Sequence, residues 1–84
     1  MSNDSLRINP IVVQGIYRHY KGGIYQVLGT ALSSETQEQL IVYKSVETGI
    51  IWIRPEKMFI EQVNVDGILK ERFAFLRKEK SPIA

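Results

Sequence analysis

Residues 15–29, GIYRHYKGGIYQVLG, decide the fold of this chain. Two segments rich in aromatic and β-branched residues, predicted as strands over 16–20 and 24–33, flank a lysine and two glycines at 21–23. They predict the opening hairpin of a small antiparallel sheet, because glycine supplies the positive φ that a tight turn demands. Gly29 interrupts the second strand, which indicates a bend or a β-bulge where the sheet curls.

The rest of the chain continues with short strands between turn signals, predicted over 39–46, 50–54 and 60–65. Pro55 ends the fourth strand, and residues 55–59 suit one helical turn. After a turn at 66–67, residues 68–76 fit either a strand that pairs back on the fifth or a short helix, and we favour an extended start with an irregular or helical end. This spacing predicts an all-β fold, a small five-stranded antiparallel Src-homology-3-like barrel with one short helical turn before the last barrel strand.

Length and composition limit the class of protein. A chain of 84 residues without cysteine forms one domain whose thin core relies on packing rather than on disulfides. We predict a flexible N-terminal arm over 1–14, a single β-barrel domain over 15–76 and a basic C-terminal tail over 77–84. The net charge is +2, and the whole basic excess follows residue 67, so the predicted barrel is a poor electrostatic match for a phosphate backbone.

The sequence also predicts several absences. His19 is the single histidine and no thiolate exists, so we expect neither a metal site nor a cofactor. The first ten residues lack the apolar core of a secretory signal, and no apolar run approaches the ~20 residues that span a bilayer. We therefore expect a cytoplasmic protein without a membrane partner. A short barrel has exposed edge strands that can pair with a second copy, so a homodimer is one possible oligomeric state.

Several sequence pieces occur together in an order that resembles the family called domain of unknown function 1653, a bacterial group of short proteins. The pieces lie between residues 15 and 73 and are GIYRHYKGG at 15–23, Tyr25, Val27, SET at 34–36, VY at 42–43, WIRP at 52–55, MF at 58–59 and VDG at 65–67. Ser33 stands where the family's His-Ser-Glu-Thr tetrad has its histidine, which argues against an obligatory catalytic or metal-binding role at that position. The resemblance implies a small β fold and no established activity.

Polar and aromatic residues recur in these pieces where a minimal fold would need only apolar ones. We predict that one rim of the barrel gathers them as a ligand-binding site: Arg18, His19, Tyr20, Ser34, Glu35, Thr36, Tyr43, Trp52 and Arg54. Each also has a structural interpretation. Residues 18–20 can pack on a strand, the hydroxyls of 34–36 favour turns, Trp52 fits a core position, and Arg54 fits an ion pair with Glu56 or Glu35.

The sequence leaves three functions open and assigns no catalytic residue. The first is a non-enzymatic binding module in which a tyrosine stacks on a planar ligand, or on part of a protein segment, while Arg18 or Arg54 binds an anion. The second is single-stranded nucleic-acid binding by exposed aromatic rings. The third is a small hydrolytic or base-modifying enzyme built on His19 and Glu35.

Overall fold

The computed structural model describes residues 11–79, which form seven strands and one helix. The strands are β1 (Gly15–His19), β2 (Ile24–Leu32), β3 (Gln39–Ser45), β4 (Ile51–Pro55), β5 (Gln62–Val65), β6 (Ile68–Glu71) and β7 (Phe73–Lys78), and the helix is α1 (Glu56–Phe59). The predicted helical turn after Pro55 is confirmed. No helix within the described residues has the length and apolar character needed to cross a bilayer.

Five strands form one antiparallel sheet in the order β4-β3-β2-β1-β7, and β5 and β6 form a separate two-stranded hairpin. The predicted all-β class and the five-stranded antiparallel sheet are confirmed. The predicted barrel is wrong, because β4 and β7 remain the two edges of an open sheet. The fifth strand of the sheet is also not the one predicted: β5 pairs with β6, and β7 takes the place beside β1.

The opening hairpin forms as predicted, with Tyr17 opposite Tyr25. Its two glycines have different roles, since Gly22 alone adopts a positive φ, of 117°. A Cβ on Gly23 would lie 2.8 Å from Cε1 of Tyr25, so Gly23 is needed to let that ring pass close to the backbone. The predicted bulge at Gly29 is confirmed by a shift of register between Val27 and Gly29.

The β5–β6 hairpin explains why residues 68–76 do not end in a helix. Asp66 and Gly67 have φ values of 53° and 84°, and Val65 pairs with Ile68, so the chain reverses through a two-residue turn. The irregular or helical end predicted for this segment is wrong, because β7 runs to Lys78 and pairs with β1. Two residues assigned to the basic tail therefore belong to the sheet.

An aromatic core fills the concave face of the sheet. The Phe59 ring of α1 is 1% exposed and stacks on Phe73 of β7 with ring centroids 4.0 Å apart and an interplanar angle of 2°. Tyr17 and Tyr43 each meet Phe59 edge-on at 5.4 Å. Edge-to-face pairs of this kind stabilise a core by about 0.5–1.5 kcal/mol beyond their buried area.

Part of the predicted arm packs on this domain. The Val12 N–H donates to the Tyr17 hydroxyl at 3.0 Å, and the Gln14 N–H donates to the carbonyl of Val27 at 2.8 Å. The contacts of the domain thus include residues 12 and 14 of the predicted arm. Residues 1–10 and 80–84, the remainder of the predicted arm and tail, lie outside the described residues.

Candidate functional site

Beside the Phe59–Phe73 stack, the concave face of the sheet opens into a cleft. Tyr43 lies opposite Trp52 and His19 lies opposite Phe73, and directly paired residues of antiparallel strands project to the same face. These two pairs bring together side chains from four strands, and Tyr25 of β2 adds a fifth. The resulting cleft, called the aromatic cleft below, has a volume of about 240 Å³ and is lined by His19, Tyr25, Tyr43, Trp52, Arg54 and Phe73.

Arg54 is the cation of the aromatic cleft. Its Nε donates to the Tyr43 hydroxyl at 3.1 Å, and its guanidinium carbon lies 5.8 Å from the centroid of the Phe73 ring. Within residues 11–79 no carboxylate forms a salt bridge with Arg54, so the predicted pair with Glu56 or Glu35 does not form. Arg72, by contrast, pairs with Glu61 at 2.6 Å. The terminal guanidinium nitrogens of Arg54 make no hydrogen bond to the described residues and can bind an anion.

His19 contributes an imidazole ring to the aromatic cleft. Its Nδ1 accepts a hydrogen bond from the Lys21 N–H at 3.1 Å, so in the neutral ring the proton is on Nε2. Burial lowers the pKa of His19 below its usual value of 6.5, and the positive charges of Arg54, Arg72 and Lys21 lower this pKa further. The surroundings of His19 are therefore electropositive, which favours a negatively charged ligand nearby.

Trp52 lies on the rim of the aromatic cleft. Its side chain is 48% exposed, so the interpretation of Trp52 as a core residue is wrong. Tyr43, its partner across the β3–β4 ladder, is 3% exposed and closes the floor. A half-exposed indole beside a guanidinium provides an open surface on which a planar group can stack.

The remaining predicted site residues lie outside the aromatic cleft. Arg18 is exposed and projects to the opposite face of the sheet, because its neighbours Tyr17 and His19 point into the concave side. Tyr20 packs its ring on His19 at 4.7 Å but does not line the cleft. The predicted set is thus divided: four of its residues share the cleft, and Arg18 is separated from them by the sheet.

The polar loop between β2 and β3 uses its hydroxyls locally. Ser33 Oγ accepts a hydrogen bond from the Thr36 N–H at 3.3 Å, and Thr36 Oγ1 accepts one from the Glu38 N–H at 3.1 Å. Ser34 and Glu35 are exposed, and none of residues 34–36 lines the cleft. The loop hydroxyls hold a turn, which is the structural interpretation of this segment.

Sequence reasoning missed two residues of the aromatic cleft, Tyr25 and Phe73. The Tyr25 ring meets Tyr43 at 5.4 Å, and the Phe73 ring meets His19 at 4.8 Å. Tyr25 and Val27 are two residues apart on β2, so their side chains project to the same face. This spacing was a usable signal for Tyr25, because Val27 is fully buried. Phe73 had no such signal, since its strand is defined only by pairing with β1.

A second and larger cavity, of about 870 Å³, lies on the other side of Phe73 and Phe59. Its lining is mostly apolar and includes charges of both signs, from Lys57, Glu61 and Glu71. Glu61 is already paired with Arg72. The lining also includes Ile11, the first described residue, so the cavity reaches the limit of the described chain. The smaller aromatic cleft differs from this cavity, because its lining within residues 11–79 includes the cation Arg54 and no carboxylate.

Comparison with known proteins gives a family. Residues 15–75 match the model of a family described as "Protein of unknown function (DUF1653)", and the chain belongs to this family. A crystal structure of a DUF1653 protein from Bordetella bronchiseptica is similar, with a TM-score of 0.70 and 30% sequence identity over 92% of this chain and 97% of that chain. No curated protein matches the chain. The resemblance stated from the sequence is confirmed, and the comparisons assign no activity.

Proposed function

We propose that this protein is a non-enzymatic binding module whose aromatic cleft recognises a negatively charged group, carried either by a protein segment or by a small planar molecule. The observation that carries the proposal is the environment of Arg54. Its terminal nitrogens have no carboxylate partner within residues 11–79, and Trp52 lies half-exposed beside it. Hydrogen bonds to charged groups contribute about 1.5–3 kcal/mol, enough for a selective anion site.

The two alternative functions have weaker support. An enzyme built on His19 and Glu35 would need the two side chains together, but Glu35 does not line the cleft that contains His19. Nucleic-acid binding is favoured by the exposed Trp52, although strong binding to a phosphate backbone requires several cations along a strand. Affinity for a single strand that falls steeply with salt would support that alternative. The cytoplasmic location and the Src-homology-3-like relationship stay predictions.

Benzoate tests the proposal, because it combines a planar ring with a carboxylate, and benzamide is its neutral control. Trp52 is the single tryptophan, so its indole N–H gives one identifiable signal in a ¹⁵N–¹H correlation spectrum. We expect benzoate to shift this signal more than benzamide does. The effect should disappear in Arg54→Gln and persist in Arg18→Gln, whose side chain lies on the other face. Equal shifts in wild type and Arg54→Gln would refute the proposal.

A further inference from the structure

The β4 strand presents an unpaired backbone beside the aromatic cleft. It is an edge of the sheet and pairs only with β3. The Ser45 N–H donates to the carbonyl of Ile50 at 2.9 Å, and hydrogen-bonded pairs alternate with non-hydrogen-bonded pairs along an antiparallel ladder. The backbone N–H and C=O groups of Ile51 and Ile53 therefore point away from β3. No loop or turn hydrogen bond within residues 11–79 reaches these two residues.

The two edges of the sheet differ in how they are protected. The β7 edge ends in Arg77 and Lys78, and charged residues of this kind discourage pairing with a further strand. The β4 edge carries no charge before Arg54, and the side chains of Ile51 and Ile53 are 58% and 62% exposed. An uncharged edge with free backbone groups can accept an added strand.

Strand geometry fixes where the side chains of an added strand would go. A residue placed opposite Trp52 would project to the same face as Trp52, over the aromatic cleft. Its two neighbours would project to the other face, beside Ile51 and Ile53, because side chains alternate along a strand. On that other face Val42 lies opposite Ile53, and Lys44 lies opposite Ile51. An apolar residue opposite Ile53 would pack on that exposed side chain, and one opposite Ile51 would pack on Ile51 and the aliphatic stem of Lys44.

Charge selects the residue that enters the cleft. No aspartate or glutamate lines it, and the Arg54 guanidinium has unused donors. A carboxylate from the added strand would complement this cation.

We propose that the β4 edge binds an extended segment of another protein as an added antiparallel strand, with an acidic residue between two β-branched apolar residues. This inference rests on the proposed function and names its partner class. A second copy of the chain does not supply such a segment, because none of its nine acidic residues is flanked on both sides by Val, Ile or Leu. The acidic side chain lies against Arg54 and Trp52, and the backbone of the two flanking residues bonds to Ile51 and Ile53.

The test uses the peptide acetyl-TVEVT-amide and the fluorescence of Trp52. One control, acetyl-TVQVT-amide, removes the charge, and the other carries N-methyl groups on both valines, which removes the donors that face β4. We expect each control to bind at least about 10-fold more weakly, as the loss of hydrogen bonds to a charged group or to an edge backbone implies. An N-methylated peptide that binds as tightly as its parent would overturn the strand pairing.

The outcomes separate this inference from the proposed function. Benzoate binding without peptide binding overturns the added strand and leaves the charged-group proposal standing. Failure of both ligands overturns both proposals. A dimer in sedimentation experiments, together with absent peptide binding, would assign the β4 edge to a second copy and overturn the inference in that way.

A protein variant gives an independent readout. Ile53→Pro removes the outward N–H without touching the ladder to β3, and proline is tolerated on edge strands. We expect Ile53→Pro to lose peptide binding and to keep the benzoate shift, whereas the matched control Ile53→Thr keeps both. Unchanged peptide binding by a folded Ile53→Pro protein would refute the inference. The N-methylated peptide decides the question if that variant does not fold.

Discussion

The β2–β3 loop and the aromatic cleft both carry polar residues that the sequence offers as a binding site, and the structure uses them differently. In the loop, the hydroxyls of Ser33 and Thr36 accept hydrogen bonds from nearby backbone N–H groups. In the cleft, Arg54 uses one donor on Tyr43 and leaves its terminal nitrogens without a partner in the described chain. A polar side chain is available to a ligand only when folding has not already used its hydrogen-bonding capacity.

The same comparison applies to the two arginines of the predicted site. Arg18 and Arg54 are both cations on short strands, but the direction of their side chains separates them. Arg54 projects into the concave face among aromatic rings, and Arg18 projects into solvent on the other side. An arginine held over aromatic rings is better prepared for a planar anion than a solvated one.

The largest expected effect is on stability, and it comes from removing Phe73, which both lines the cleft and packs in the core. Phe73→Ala deletes a ring that is 6% exposed and stacked on Phe59, so the free energy of unfolding should fall by about 3–5 kcal/mol. Urea denaturation measures this loss. Phe75→Ala, on the same strand and about half exposed, is the control and should cost less than half as much. Equal losses would show that the cleft does not depend on this stack.

Arg54→Gln should separate binding from stability. Loss of a charged hydrogen-bonding partner should weaken binding of a carboxylate ligand by about 1.5–3 kcal/mol, while the free energy of unfolding changes by less than about 1 kcal/mol. Calorimetric titration and urea denaturation measure the two quantities. Arg18→Gln should leave both nearly unchanged. A variant at Arg54 that is strongly destabilised would identify this arginine as structural.

In the β2–β3 loop, a substitution should lower stability and leave ligand binding unchanged. Thr36→Val removes the acceptor for the Glu38 N–H, so it should lower the free energy of unfolding by about 0.5–1.5 kcal/mol without a change in ligand affinity. Thr36→Ser keeps the hydroxyl and should retain most of the stability. Thermal unfolding of the pair, with ligand titration of each, measures both effects. Weaker ligand binding by both variants would place the loop in the binding site.

The pH dependence should be the smallest effect. Because the pKa of folded His19 lies below 6.5, the unfolded chain binds more protons at pH values between the two pKa values. His19 therefore destabilises the fold as the pH falls through 6.5 toward the folded pKa, and its contribution is constant at higher pH. A histidine titration by NMR should also show a higher pKa in Arg54→Gln than in Arg18→Gln. Identical pKa values would mean that Arg54 does not act on this ring.

Local signals predicted much of this fold. The first hairpin, the bulge at Gly29, the end of β4 at Pro55 and the turn at Asp66-Gly67 each depend on the backbone preferences of one or two residues. Closure of the sheet does not, because it depends on which distant strands pair. The irregular or helical end predicted for residues 68–76 failed for this reason: β7 pairs with β1, which buries Phe73 and leaves Leu69 and Leu76 exposed.

In the candidate site, too, local sequence predicts some features, whereas others depend on distant pairing or on hydrogen bonds. Alternation along β4 places Trp52 and Arg54 on one face, so their proximity could be predicted from the sequence. The contribution of Phe73 depends on the pairing of β7 with β1, and the role of residues 33–38 depends on hydrogen bonds that close the turn. Neither is encoded in the spacing of residue types.

The most direct test observes Arg54 itself. In a ¹⁵N–¹H spectrum of the wild-type protein, addition of benzoate should move the Arg54 Nε–H signal and the Trp52 indole signal together, with the backbone amides of 33–38 unchanged. Such a result would show that the unpaired cation and the half-exposed ring form one binding surface. Shifts confined to the loop amides, with the Arg54 signal stationary, would contradict it.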